Sequence, residues 1–219
     1  MNVPKNLAYR SVIGLMRLYR DTFLDLHVTG RENIPPGPKI YATNHISSTD
    51  PYWVLPEFPE PVHVVIGPGY NSRVLAWVLD LFEQINARPE HRKSVVDRAA
   101  VYLERGESIY NAPEGDIQTP FTLGPFYPGL ARIYRRTGAP IIPIALVAPQ
   151  SALRAYPRFN IEVDGRLYRA IFVLRGSFAI RIGTPFMPDL ANLDDLAITE
   201  QLRTRIQNLV DEVRAKMGW

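Results

Sequence analysis

The segment Asn44-His45-Ile46-Ser47-Ser48-Thr49-Asp50 sets a histidine and an aspartate five residues apart. An imidazole steadied by a carboxylate is a general acid–base unit, able to take a proton from a weak nucleophile near neutral pH. On a continuous helix five residues turn the chain by ~500°, which leaves the two side chains ~140° apart, so they can pair only across a turn. Pro51 supplies that turn. It disfavours helical backbone at Asp50 and suits a first helical position. Asp50 is therefore expected to cap a helix, with one carboxylate oxygen on a helix N–H and the other on the His45 ring. Plainer roles compete: a capping aspartate needs no catalytic duty, and an isolated histidine at a strand end is more often simply satisfied there.

Other candidate chemistries find less support. Ser47 and Ser48 lie beside His45, but no G-x-S-x-G elbow occurs in the chain. The run Gly67-Pro68-Gly69-Tyr70-Asn71-Ser72 mimics a dinucleotide fingerprint only in part, because Ser72 stands where a third glycine belongs. His27, His63 and His91 show no metal-ligand spacing, so no metal is expected.

The elements that must position His45 follow from periodicity. Residues 39–43 form a short strand that delivers the chain to Asn44, after an extended stretch at 25–29 and a turn rich in Pro and Gly. Residues 62–66, 84–88, 108–111, 141–147 and 177–182 are further strand candidates. Helices are expected at 93–104, 128–137 and 194–217, with another capped by Asn71 or Ser72 whose Val74, Leu75, Val78, Leu81, Phe82 and Ile85 share an apolar face. Residues 151–174 are less regular. Strand and helix alternate, which predicts a single α/β domain with a mixed, largely parallel sheet flanked by helices. Ahead of that domain (25–219), residues 6–24 form an amphipathic helix within an N-terminal segment 1–24, with Leu7, Val12, Ile13, Leu15, Met16, Tyr19 and Phe23 on a broad apolar surface. Arg10, Arg17 and Asp21 recur on its polar side with Arg20 nearby, so it could lie in a membrane interface with arginines at the headgroups, or dock on the core.

Composition narrows the classes. The 219 residues suit one domain, and 46% hydrophobic with 21% charged residues exclude disorder as the dominant state. The absence of cysteine removes disulfides, thiolate nucleophiles and Cys-based metal sites, and fits a reducing cytoplasm. A net charge of +3 suits anionic lipid headgroups. The aromatic residues are not interleaved with a dense Lys/Arg cluster, so nucleic acid is not an expected partner. No apolar run reaches the ~18 to 20 residues of a spanning helix, and no signal-peptide pattern opens the chain. The expectation is a cytoplasmic protein peripherally associated with a membrane.

Three further blocks join the first. Arg88 ends the short strand at 84–88; Pro113, Glu114 and Gly115 follow the strand at 108–111; Pro140 and Pro143 open the strand at 141–147. With Asn44, His45 and Asp50 in an N-H-x-x-x-x-D pattern, the order and separation of these blocks over residues 28–147 resemble the glycerolipid acyltransferase family that includes 1-acylglycerol-3-phosphate acyltransferases. The resemblance implies that His45 is the base on an acceptor hydroxyl and Asp50 its partner. It also implies that Arg88, Glu114 and Gly115 contact the acceptor, and that Asn44, Pro113, Pro140 and Pro143 hold the motifs. No cofactor is implied; acyl-CoA or acyl carrier protein brings the acyl group as co-substrate, and membrane lipids are the other partner.

One departure bears on the acceptor. Asp116 and Ile117 stand where the family usually has Thr-Arg, so a cation is missing and an anion added. The acceptor expected from the resemblance is 1-acylglycerol 3-phosphate. The alternatives are a neutral or glycosylated lipid alcohol, a thioesterase that uses water, and a non-catalytic lipid-binding protein of the same fold.

Overall fold

In the computed structural model, which describes residues 3–219, helix and strand alternate as far as residue 147. Helix α1 spans Val3–Phe23 and leads straight into β1 (Leu24–Thr29). Strand β2 (Ile40–Thr43) is followed by the short helix α2 (Asp50–Val54), then β3 (Val62–Ile66), α3 (Arg73–Leu81) and β4 (Ile85–Asn86). Helix α4 (Val95–Glu104), β5 (Ser108–Asn111), α5 (Gly129–Thr137) and β6 (Ile141–Val147) complete the alternating part. Beyond it lie β7 (Leu153–Ala155), β8 (Ile161–Val163), β9 (Arg166–Tyr168), β10 (Ile171–Val173), β11 (Gly176–Ile182) and the long helix α6 (Asp195–Met217).

The main sheet runs β1-β11-β6-β2-β5-β3-β4. Every neighbouring pair is parallel except β11 with β6, so the expected mixed, largely parallel α/β sheet is present. Strict alternation along β6 divides the core. Ile141, Ala145 and Val147 face a cluster with Ala99 and Leu103 of α4, Leu130 and Ile133 of α5, and Leu202, Ile206 and Val210 of α6. Ile142, Ile144 and Leu146 face the opposite cluster, with Trp53 and Val54 of α2, Phe58 and Phe178. A strand covered on both faces loses polar positions altogether, which is why β6 reads as a continuous apolar run.

Residues 151–174 are more ordered than their sequence suggested. They fold into two nested antiparallel pairs, β7 with β10 and, inside them, β8 with β9. Asp164 and Gly165 make the inner turn, with φ of 50° and 73°. Two successive positive φ values belong to the tight turn that Asp-Gly favours between strands.

Two helices differ from expectation. The apolar surface of α1 is split, and two arginines turn to the domain, Arg17 donating to the Pro56 carbonyl at 2.6 Å. Val12, Ile13 and Met16 are half-buried against the domain, while Leu7 (69% exposed), Leu15 and Leu18 (66%) face outward. Arg20, expected near the polar side, is buried and donates to the Glu57 carboxylate and the Trp53 carbonyl. Aromatic stacking of Tyr19 on Trp53 at 5.4 Å completes the dock. Helix α3 starts as foreseen, with the Ser72 hydroxyl accepting from the Leu75 N–H, but it has no core face: all its residues are at least partly exposed, Trp77 by 68%. It stops before Phe82, and Ile85 belongs to β4 instead.

Candidate active site

Strands β2, β5, β3 and β4 are mutually parallel in that order, so their carboxyl ends open on one edge of the sheet. That edge is where open α/β sheets take ligands. His45 lies two residues beyond β2, Glu114 three beyond β5, and Arg88 two beyond β4.

The exit from β2 is fixed by Asn44. Its buried side-chain amide donates to the Leu146 carbonyl at 2.9 Å and accepts the Leu146 N–H at 2.7 Å, so it mimics one more strand residue against β6. The backbone of His45 is then held from the other side. Its N–H donates to Glu114 Oε2 at 2.6 Å, and its carbonyl accepts the Gln118 N–H at 2.8 Å. The other Glu114 oxygen, Oε1, accepts the Gly124 N–H at 2.7 Å. Glu114, expected to touch the acceptor, thus spends its carboxylate on two backbone donors that shape the loop at residues 113–127. Burial pushes the Glu114 carboxyl up to about 7, against those two N–H groups and the nearby imidazole, which favour the anion.

His45 and Asp50 do meet: Nδ1 lies 2.9 Å from Asp50 Oδ2. The expected cap is absent, however. Thr49 occupies the N-cap in helical backbone, and Asp50 is already inside α2 with Pro51 behind it in the first turn. Its carboxylate reaches backward instead. Oδ2 accepts the N–H groups of Ile46 and Ser47 as well as the ring, and Oδ1 accepts the Ser47 hydroxyl at 2.6 Å. Four donors converge on a fully buried carboxylate, which is how a charge survives away from water. The same turn is tied to β10: the Ser48 N–H donates to the Ile171 carbonyl, and the Trp53 indole donates to the Val173 carbonyl.

Nδ1 engaged in this way points the other ring nitrogen, Nε2, away from Asp50. Among the described residues none hydrogen-bonds Nε2, and the His45 side chain is 24% exposed. Burial works to lower the imidazole pKa, but the Asp50 hydrogen bond and the charges of Asp50, Glu114 and Asp116 outweigh it, and the net shift is upward.

The remaining motif residues fall into place around this centre. Gly115 has φ of 64°, and a Cβ there would come within 3.2 Å of the Tyr127 ring. Its N–H is committed to the Ala112 carbonyl, so that N–H is not free for the acceptor contact the resemblance implied. The carbonyl of Pro113 accepts the Tyr127 N–H, and that of Pro140 accepts the Ile40 N–H. Pro143 faces the end of β11, where its carbonyl accepts the Gly183 N–H and a missing donor is tolerated. Arg88 follows β4, which is three strand spacings or ~14 Å from β2. Its guanidinium is turned to the Tyr70 carbonyl and Glu90. Sequence reasoning missed Gln118, which clamps the His45 carbonyl, and Arg166, which ion-pairs with Asp116 at 2.9 Å.

An imidazole backed by a buried carboxylate, at the open edge of a mixed α/β sheet, defines a candidate general-base site. A family model described as Acyltransferase matches residues 25–147, more than half of the chain, and the chain belongs to that family. The chain is 28% identical over 135 residues to "1-acyl-sn-glycerol-3-phosphate acyltransferase BAT2, chloroplastic" of Brassica napus, covering 57% of this chain and 38% of that protein. It is 26% identical over the same length to the chloroplastic LPAT1 protein of that activity name from Arabidopsis thaliana, covering 36% of it. The chain thus spans under two fifths of the length of these curated relatives. The crystal structure of the 1-acyl-sn-glycerophosphate acyltransferase PlsC from Thermotoga maritima shares the fold, with a TM-score of 0.69 over 98% of this chain and 85% of that one, at 17% identity.

Proposed function

We propose that the protein transfers a fatty acyl group from an acyl thioester, acyl-CoA or acyl carrier protein, to the free hydroxyl of 1-acylglycerol 3-phosphate. The observation that carries this reading is the His45–Asp50 pair at 2.9 Å with Nε2 turned outward, at the carboxyl edge of the sheet. The names of the plant relatives supply the acceptor.

An alcohol is a poor nucleophile at neutral pH, so a base must remove its proton as the new bond forms. His45 Nε2 takes the hydroxyl proton while Asp50 fixes the tautomer and stabilises the imidazolium. The acceptor oxygen attacks the thioester carbonyl, the carbon–sulfur bond breaks, and the leaving thiolate takes the proton back from His45. The products are the ester and the free thiol, and no covalent acyl-enzyme is needed. Glu114 and Gln118 are positioning residues in this scheme, since they hold the His45 backbone.

The protein acts at a membrane surface in this reading. Among the described residues no helix is long and apolar enough to cross a bilayer, but α1 and α3 carry exposed Leu7, Leu15, Leu18, Val74 and Trp77. Tyr9 of α1 meets Phe82, just after α3, edge to face, so the two helices adjoin at one corner. Such a face can enter the acyl boundary of one leaflet.

Incubation with labelled acyl-CoA and a panel of lysolipids tests the proposal. Acylated lipid is the expected product. Free fatty acid with every acceptor would identify a thioesterase, and binding without product a lipid-binding protein.

A further inference from the structure

Charge around His45 poses a problem for a phosphorylated acceptor. The carboxyl groups of Asp50, Glu114 and Asp116 all lie close enough to His45 to favour positive charge there over negative. A phosphate monoester carries up to two negative charges and needs a cation beside that cluster. Ile117 is buried and apolar, so the third block supplies none. Arg88 is three strands away with its guanidinium on Tyr70 and Glu90.

A cation seated on the loop comes from elsewhere in the chain. Strands β8 and β9 form the inner hairpin, and β9 begins with Arg166. Its Nη2 donates to Asp116 Oδ2 at 2.9 Å and its Nη1 to the Tyr127 hydroxyl at 3.4 Å. The guanidinium also lies over the Tyr168 ring, 5.2 Å from its centroid. Asp116 is itself fixed, with Oδ1 accepting the Ile117 N–H, and the Tyr127 ring packs on Gly115. Arg166 is therefore seated on the loop that clamps the His45 backbone, yet its side chain remains 42% exposed.

Resting on the reading above, we infer that Arg166 is the residue that receives the phosphate of the acyl acceptor, with Asp116, Tyr127 and Tyr168 holding its guanidinium in place. A guanidinium has five N–H donors. The two contacts named use one on each terminal nitrogen, so the fork keeps donors for a phosphate while its plane is already set. Preorganisation of this kind spares the ordering cost of a long side chain on binding. Asp116 then has a reason to be acidic: it orients a cation that arrives from a hairpin fifty residues later, at the cost of some attraction for the anion.

Equilibrium binding tests the assignment independently of turnover. The probes are 1-acylglycerol 3-phosphate, the 1-acylglycerol that lacks its phosphate, and coenzyme A, each with wild type, Arg166→Ala, Arg166→Lys and Asp116→Asn. Arg166→Ala should weaken the phosphorylated lipid by about tenfold or more and leave the other two probes unchanged, as loss of a charge-assisted contact requires. Arg166→Lys should recover part of the loss, and Asp116→Asn, which keeps an acceptor oxygen but removes the negative charge, should tighten binding. Unchanged affinity in Arg166→Ala overturns the inference. So does a loss shared by all three probes, which marks a collapsed hairpin, or one confined to coenzyme A, which places the donor's phosphates there. Acyl transfer by the same proteins reports separately on the reaction: intact Arg166-dependent binding with no acylated product sinks the transferase reading and leaves the phosphate site standing.

Discussion

In the proposed reaction His45 is a base whose charge is set by its neighbours. Because the imidazole pKa is raised, the neutral form needed for proton removal is lost at a higher pH than for an ordinary histidine. The acid limb of the kcat/KM profile should therefore lie above the usual imidazole range, and a limb at or below that range would break the link between pair and activity. His45→Ala should lower the rate by ~10²- to 10⁴-fold or more with little change in Tm, since Asp50 keeps its bonds from Ile46 and Ser47. Normal turnover in that variant would remove His45 from the mechanism. Asp50→Asn should shift the acid limb downward and slow the reaction. It should also cost about 1–3 kcal/mol of stability, because an amide nitrogen must then face one of the converging donors. A melt matching wild type would show that the amide is accommodated. The pair itself was legible in the sequence as residues on either side of a turn between a strand and a helix that Pro51 opens, although Asp50 lies inside that helix and not ahead of it. The direction of the Asp50 carboxylate was not. Which N–H groups it takes depends on the turn from Ile46 to Thr49, which sequence spacing does not specify.

Among the elements, the loop at residues 113–127 and helix α1 carry the clearest expectations. Glu114→Ala leaves the His45 and Gly124 N–H groups without their acceptor, at about 1–3 kcal/mol for each that stays buried. Because His45 shifts with its backbone, kcat should fall as well, while KM for the lipid stays near wild type. A rise in KM alone, measured beside a urea melt, would return Glu114 to acceptor binding. The sequence marked Glu114 but not this task, since its partner lies 69 residues away across the β2–β5 pairing. For α1, the buried Arg20–Glu57 pair sets the docked face. Arg20→Ala strands a buried carboxylate that keeps the exposed Arg31, so a loss of about 3 kcal/mol is expected, the lower end for breaking such a pair. If the arginine instead met headgroups, vesicle binding would change and Tm would not. Periodicity showed an amphipathic helix here but not which way it faced, because an arginine with an apolar stem and a buried partner packs as readily as a leucine. The β8–β9 hairpin was open to a local reading, since Asp164-Gly165 between Ile161, Val163 and Tyr168 is a strong turn signal. Its three-residue strands are too short for periodicity to register.

At the scale of the whole molecule, the question is how a chain with no spanning helix among its described residues would reach the lipid substrate proposed for it. The alternation of strand and helix revealed the parallel sheet, but the reversal at β11 has no local signature, because strand direction is chosen by tertiary pairing. The same holds for the outer surface: periodicity left α1 open between membrane and core and gave α3 an apolar face without its direction, and Leu7, Leu15, Leu18, Val74 and Trp77 remain exposed after folding. Arg10 borders the α1 part of this surface, a placement suited to an anionic leaflet, whereas Arg17 donates to the Pro56 carbonyl of the domain. Deleting α1 is a poor test of it, because the cut also uncovers Trp53 and removes Arg20 from Glu57, so the shortened protein is expected to aggregate whatever the helix touches. Substituting outward residues separates the two causes. Leu15→Glu with Leu18→Glu should leave the fold within about 0.5 kcal/mol of wild type for each exposed change. Each leucine withdrawn from an acyl boundary forfeits at least ~1.5 kcal/mol, so together they should weaken binding to anionic vesicles on the order of a hundredfold, and more once the added charges oppose the lipid. Trp77→Glu on α3 should act in the same direction if the two helices enter one leaflet together. Unchanged vesicle binding in the triple variant, with a normal melt, would mean that this apolar face meets something other than a bilayer.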